Sequence, residues 1–300
     1  MALDIDTIAL TCLVLLGVGY VAVLGLLPFR RYAPAAKETL PILHAEAVIV
    51  IAAVGAVWVG GWVLTLCLIA LTLRIGFEAA FVALARRGAR LRVVLPAGAA
   101  LAAAVLLGAT QPLEALIWPS LAALALCGLL VWLRIPNPIS YLGVSLLLAA
   151  FPGIPLMIFV AAGNQDLGVW LLAAFFLVET FDSYALLGGK LFGRTKAFPL
   201  LSPRKTVEGL AAGAVMLMLT AALVGKLLFD APVPASAGLA LCVGVLAVAG
   251  DLAASRLKRL SGIKDYPPVI RNQGGLLDIT DAWIAAGAGL AVFAVLSGLA

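Results

Sequence analysis

Between Gly250 and Asp281 the sequence GDLAASRLKRLSGIKDYPPVIRNQGGLLDITD gathers four aspartates and five Lys or Arg residues into 32 positions of a chain that is 64% hydrophobic and 12% charged. Ionisable groups are costly in so apolar a sequence, and their concentration in one stretch points to chemistry. The stretch reads as a hydrophobic helix ending in Asp251, a basic loop, the flexible pair Gly274-Gly275, and a further helix with Asp278 and Asp281 near its start. A spacing of three places those two carboxylates on one helix face. With Asp251 on the preceding helix and Lys or Arg between them, they suit a hard divalent cation carrying bound phosphates.

A second cluster lies upstream, in FLVETFDSYALLGGKLFGRTK, where Glu179 and Asp182 are again three apart on one helix face. The segment PLLSPRKTVEGL follows. It has the grammar of a helix start, with Ser202 as N-cap, Pro203 at the first helical position, and then Arg204 and Lys205. Free backbone N–H groups, the positive dipole end and two cations would form an anion site there. Arg74 and Glu78 are the ionisable residues deep in an apolar run of the first half, and they read either as an intrahelical ion pair or as support for a polar cavity. His44 is the single histidine, which leaves catalysis by a His base or a His-rich zinc site almost nothing to draw on. The cysteines, Cys12, Cys67, Cys127 and Cys242, stand singly in apolar stretches and read as packing residues.

The elements that must position these groups are membrane-spanning. A mean hydropathy of +1.16 and repeated apolar runs of about 20 residues predict an all-α, polytopic integral membrane protein. Ten helices are expected, at roughly 7–27, 44–59, 62–84, 92–108, 113–133, 139–161, 168–191, 206–229, 235–256 and 276–299. Gly60-Gly61 marks either an outside turn or a bend in one long segment. The whole chain, 1–300, reads as one membrane domain, with 1–165 as scaffold and lipid groove and 166–300 as the catalytic region. The N-terminal MALDIDT lacks a basic n-region, so the first apolar run is expected to be a retained helix.

Loop charge then orients the bundle. With the N-terminus outside, the inside segments hold 18 of the 20 basic residues, leaving only Arg74 and Lys226 elsewhere. The expected arrangement therefore has both termini outside and every chemical motif facing the cytoplasm, as in a bacterial inner membrane. The net charge of +5 reflects cytoplasmic loops rather than a nucleic-acid partner.

Four ordered motifs complete the reading: Ser202-Pro203-Arg204-Lys205-Thr206-Val207-Glu208-Gly209; Gly250-Asp251-Leu252; Ser255-x-x-Lys258-Arg259-x-x-Gly262-Ile263-Lys264-Asp265; and Gly274-Gly275-x-x-Asp278-x-x-Asp281. In this combination the last 120 or so residues resemble the phosphatidate cytidylyltransferases, or CDP-diacylglycerol synthases. Gly76-Phe77-Glu78 is also similar to a family position, and the residues before about 40 look like an added helix. The resemblance implies transfer of a cytidylyl group from CTP to phosphatidic acid, giving CDP-diacylglycerol and pyrophosphate for phospholipid synthesis. It implies Mg2+ at Asp251, Asp278 and Asp281, and nucleotide-phosphate contacts at Ser202, Lys205 and Thr206. Lys258, Arg259, Lys264 and Asp265 match the signature loop where lipid phosphate and CTP would meet.

Arg204, Arg271, Gln273, Gly274 and Gly275 are further substrate-binding candidates, and Glu179, Asp182 and Glu208 are candidates for supporting the site. The sequence departs from the family pattern in three places. Arg271-Asn272-Gln273 stands where Pro-Gly-His is usual, Ile279 stands where Arg is usual, and Tyr184-Ala185-Leu186 replaces Gly-Ala-Tyr. Arg271 is a candidate to supply the guanidinium that Ile279 cannot.

Two other classes stay open. One is a CTP-dependent kinase, which would release CDP, or a nucleotidyltransferase, acting on another membrane lipid; the other is a transporter, which would carry its charges near the bilayer midplane in paired, broken helices. A homodimer is also left open. The topology generates the first prediction. In a background without the four native cysteines, Asn164→Cys is labelled in intact cells by a membrane-impermeant thiol reagent and Asn272→Cys is protected; the reverse pattern would overturn the orientation.

Overall fold

The structure is a computed structural model that describes residues 4–30, 33–85, 88, 90–133, 140–269 and 274–299. Its helices are α1 (Ile5–Leu26), α2 (Ala33–Val59), α3 (Gly61–Ala85), α4 (Leu91–Gly108), α5 (Leu113–Trp132), α6 (Tyr141–Leu148), α7 (Ile154–Asn164), α8 (Gly168–Phe192), α9 (Val207–Phe229), α10 (Val233–Ser261) and α11 (Leu276–Leu296). A kinked segment, Ala149–Gly153, in which Phe151 has extended backbone (φ −156°, ψ 128°), joins α6 to α7, and the two count as one span. Among the described residues ten spans are long and apolar enough to cross a membrane, and the chain is an all-α polytopic membrane protein. Gly60 and Gly61 both take positive φ, at 63° and 49°, which resolves the α2–α3 junction as a turn rather than a bend.

Two helix boundaries differ from expectation at places that matter for the site. The first is Asp251, which lies inside α10 rather than at its end, because the helix continues ten residues to Ser261. The drop in hydropathy after Asp251 marks departure from the apolar layer, while Ala, Leu, Arg and Lys in AASRLKRL sustain the helix. Ala254, Ser255, Leu257, Lys258 and Ser261 continue its buried face. Gly262 then ends it in the left-handed conformation at φ 76°, where the Gly262 N–H reaches the Arg259 carbonyl at 3.1 Å and the Ile263 N–H reaches the Lys258 carbonyl at 3.1 Å.

The second difference is at Ser202, which is not an N-cap. Ser202–Thr206 forms strand β2, paired antiparallel with β1 (Lys196–Phe198), with Lys196 opposite Thr206 and Phe198 opposite Ser202. Extended backbone suits Pro203, which has no N–H to contribute to a ladder. The cap of α9 is Thr206, whose hydroxyl oxygen accepts the Gly209 N–H at 3.1 Å. This hairpin between α8 and α9 is an element that hydropathy does not signal.

The core gathers α3, α7, α8, α10 and α11, and α11 is the most enclosed of the spanning helices. Large apolar side chains such as Leu66, Leu107, Leu219 and Val245 point outward, as lipid contact requires. In lipid, helices associate through close packing of small residues rather than through hydrophobic expulsion. At Gly250 a Cβ would lie 2.5 Å from the Asp281 carbonyl oxygen and 2.7 Å from the Ala285 Cβ, so glycine lets α10 and α11 touch beside Asp251 and Asp281. Gly250→Val is expected to destabilise the protein by about 1–3 kcal/mol, and Gly250→Ala by less. Thermal unfolding of the purified protein measures this, and an unchanged midpoint for the valine variant would show that the helices part without cost.

Candidate active site

The C-terminal half of α8, the β-hairpin, the start of α9, the polar part of α10 and the start of α11 enclose a cavity of about 520 Å3. Four carboxylates line it, Asp182, Asp251, Asp278 and Asp281, together with the cationic side chains of Lys190, Lys196, Arg204 and Lys205. The hydroxyl-bearing residues Ser202 and Thr206 and the bare backbone of Gly189 and Gly193 complete the wall. The hairpin therefore delivers Ser202, Arg204, Lys205 and Thr206 to the cavity through extended backbone, not through a helix N-terminus. Glu208 holds the hairpin's base from outside the cavity, its carboxylate accepting the N–H groups of Arg194 at 3.0 Å and Thr195 at 3.1 Å.

Opposite charges meet at two points. Lys205 Nζ contacts the Asp251 carboxylate at 2.7 Å. Burial lowers the Lys205 pKa, but Asp251 and Asp182 outweigh it and hold the ammonium above its ordinary value. The cation is thus present throughout the physiological range. Lys258 Nζ contacts Asp278 Oδ1 at 2.5 Å, and Asp278 Oδ2 accepts the N–H groups of Tyr266 and Gly275, each at 3.0 Å. Lys258 also lies 5.3 Å from the centre of the Tyr266 ring. Burial, reinforced by Asp281, Asp278 and Glu78, pushes the Tyr266 hydroxyl up, so it keeps its proton and donates to the Ala254 carbonyl at 3.3 Å.

Asp281 is different. It is 6% exposed, its Oδ1 accepts the Ala282 N–H at 2.6 Å, and among the described residues no Lys or Arg comes within ion-pair distance of it. A buried carboxylate without a cation is costly unless something neutralises it. Among the described residues no three His, Cys, Asp or Glu side chains converge closely enough to cage a metal. A complete protein cage is not what Mg2+ requires, because it is commonly held by one or two carboxylates with water and substrate phosphates. Asp281 fits that role, with Asp251 beside it bonded less heavily than Asp278: Asp251 meets Lys205 at 2.7 Å and accepts the Ser255 hydroxyl at 3.3 Å, whereas Asp278 is engaged by Lys258 and two backbone amides.

The remaining candidates are dispersed. Arg259 is exposed, with Nη1 donating to the Ile263 carbonyl at 3.3 Å, and Lys264 and Asp265 are exposed on the loop after α10. Gly274 and Gly275 form the approach to α11, where a Cβ at Gly274 would lie 2.5 Å from Asp278 Oδ2. Glu179 lies one turn deeper than Asp182 along α8, beside Glu46 of α2. Arg271 and Gln273 lie outside the described residues. Three contributors escape motif reading: Lys190 and Lys196, which line the cavity, and Tyr266, which ties α10 to the loop before α11. The run Gly188-Gly189 is the available signal for the first two, since it marks where α8 lies against the start of α9.

The profile of the cytidylyltransferase family matches residues 43–297. The chain is 36% identical over 122 residues to the uncharacterized protein YnbB of Escherichia coli (strain K12), covering 41% of this chain and 40% of that one. It is 33% identical over 140 residues to a phosphatidate cytidylyltransferase of Staphylococcus aureus (strain COL), covering 46% and 54%. It is 40% identical over 124 residues to the chloroplastic phosphatidate cytidylyltransferase 5 of Arabidopsis thaliana, covering 40% and 30%. The matched stretches thus span about half or less of the length of these relatives. The family profile extends over most of this chain, from α2 to the last turns of α11, and the chain belongs to the cytidylyltransferase family.

Proposed function

We propose that the protein transfers the cytidylyl group of CTP to phosphatidic acid, releasing pyrophosphate and leaving CDP-diacylglycerol in the membrane. The observation that carries this reading is a cavity at one end of the bundle in which four cations face four carboxylates, one of them buried and, among the described residues, without a cationic partner. Such a surface suits a polyphosphate arriving with a hard cation. The relatives named phosphatidate cytidylyltransferase support the choice of acceptor.

The chemistry needs no histidine. A phosphate monoester has a second pKa of about 6, so the acceptor oxygen is already anionic at neutral pH. It attacks the α-phosphorus of CTP, the bond from that phosphorus to the bridging oxygen breaks, and pyrophosphate leaves. Lys190, Lys196, Arg204 and Lys205 would hold the nucleotide phosphates, and Ser202 and Thr206 would offer hydroxyl contacts. Asp251 and Asp281 would hold Mg2+, which when bound neutralises developing charge on the phosphates. An apolar cavity of about 280 Å3 between α3, α4 and α6 supports a place for acyl tails within the first 165 residues. The loop charges favour a cytoplasmic mouth, where CTP is available.

Purified protein given phosphatidic acid and CTP labelled at the γ position is expected to release labelled pyrophosphate. Labelled lipid together with CDP would instead identify a kinase, and no turnover would remove the assignment. Asp281→Asn keeps the acceptor for the Ala282 N–H while removing the charge, so turnover should fall to background with the protein still inserted and its unfolding midpoint retained or raised. Near-normal turnover of the Asp278→Asn/Asp281→Asn double variant would exclude a metal role for this face of α11.

A further inference from the structure

We infer that Glu78 of α3 is a positioning residue for the active site, acting as the N-terminal cap of α11 from a helix about 200 residues earlier in the chain. Glu78 is fully buried, at 0% exposure. Its Oε1 accepts the Leu276 N–H at 2.8 Å and the Arg74 Nε–H at 2.7 Å, and its Oε2 accepts the Leu277 N–H at 2.7 Å. An ion pair within α3 would need only Arg74. Here the carboxylate also satisfies two of the amides that a helix start leaves without partners, at the positive end of the α11 dipole.

The residue at the N-cap of α11 explains why the cap comes from elsewhere. Gly275 has no side chain to bond forward, and none could be added without disturbance: a Cβ would lie 2.5 Å from the Tyr266 Cβ and 2.7 Å from Glu78 Oε2. The cap is therefore supplied across the bundle. Asp278 and Asp281 stand within the first two turns after the amides that Glu78 holds. Arg74 extends the same tie, since its Nη2 donates to the Pro267 carbonyl at 2.7 Å and so holds the loop carrying Tyr266, whose N–H is bonded to Asp278. Glu78 touches neither the cavity wall nor, by this geometry, a substrate. Its effect on chemistry passes through where α11 begins.

The activity arm of the test rests on the cytidylyl-transfer reading, and the exchange arm does not. Full-length wild type, Glu78→Ala and Glu78→Gln are compared in lipid nanodiscs. For Glu78→Ala, kcat with CTP and phosphatidic acid is expected to fall roughly tenfold to a hundredfold, with KM for CTP within about threefold, as for a loss confined to the transition state. Amide exchange should quicken in 263–269 and 274–281 while α8 and α9 keep wild-type protection. Glu78→Gln retains one carbonyl acceptor and should fall between the two. An unchanged kcat, or exchange raised throughout α3, α8 and α9, would overturn the proposal by showing either no role or a merely structural one. If Glu78→Ala fails to insert, the same criteria are applied to Glu78→Gln. An inactive wild type would count against the assigned reaction, and the exchange pattern alone would then decide the claim for Glu78.

Discussion

Asp278 holds three segments of chain at one point, and the geometry of the cavity depends on it. One carboxylate oxygen takes the ammonium of Lys258 from α10, and the other takes the backbone N–H of Tyr266 from the connecting loop and that of Gly275 from the approach to α11. A carboxylate removed from water needs both opposite charge and hydrogen-bond donors, and this one has a cation and two amides. Gly250 allows α10 and α11 to touch further along, at Asp281 and Ala285, and Glu78 fixes the first turn of α11 from the far side. The free carboxylate of Asp281, one helical turn further on, has its position set by these contacts although it makes few of its own.

What could be read from the sequence follows the physics of each signal. Ten spans were legible, because transfer of apolar residues into lipid is a local property of about 20 consecutive positions, although α2 begins at Ala33 and not near 44, its first turns carrying Lys37 and Glu38. The same signal misplaced the end of α10, since hydropathy reports where a helix leaves the bilayer and not where its hydrogen bonds stop. Ser202-Pro203 carries a local helix-start pattern, yet the strand it occupies exists only because Lys196–Phe198 lies alongside. Motif spacing brought Asp251, Asp278, Asp281, Ser202, Arg204, Lys205 and Thr206 to one cavity, together with Asp182. It could not show that Asp278 is engaged by Lys258 and two amides, or that Glu78 caps a helix in the opposite half of the chain. Contacts of that kind have no sequence period.

The hairpin and the N-terminal helices place polar groups at different depths. Glu208 and Thr206 fix the hairpin to the start of α9, which puts Arg204 and Lys205 on the cavity wall. Along α8 the carboxylates descend from Asp182, which lines the cavity, to Glu179, which meets Glu46 of α2. Residues of the second helix thus approach the polar file from behind, and the family match begins within that helix, at residue 43.

The charge balance of the cavity constrains what can enter it. Four carboxylates and four cations line the wall, and two of the carboxylates are already paired, Asp251 with Lys205 and Asp278 with Lys258. Under the proposed reaction a nucleoside triphosphate and a lipid phosphate must share this space, adding several negative charges to a surface with little net positive charge. Lys190, Lys196 and Arg204 supply fewer charges than the phosphates bring, and turning Lys205 or Lys258 to the substrates would leave Asp251 or Asp278 without its partner, at a cost of about 3–5 kcal/mol for a buried carboxylate. A divalent cation arriving with the nucleotide would resolve the conflict. Bound there, it would neutralise the phosphates and give Asp281 the partner it lacks, and under the proposed reaction substrate binding and completion of the site would be one event.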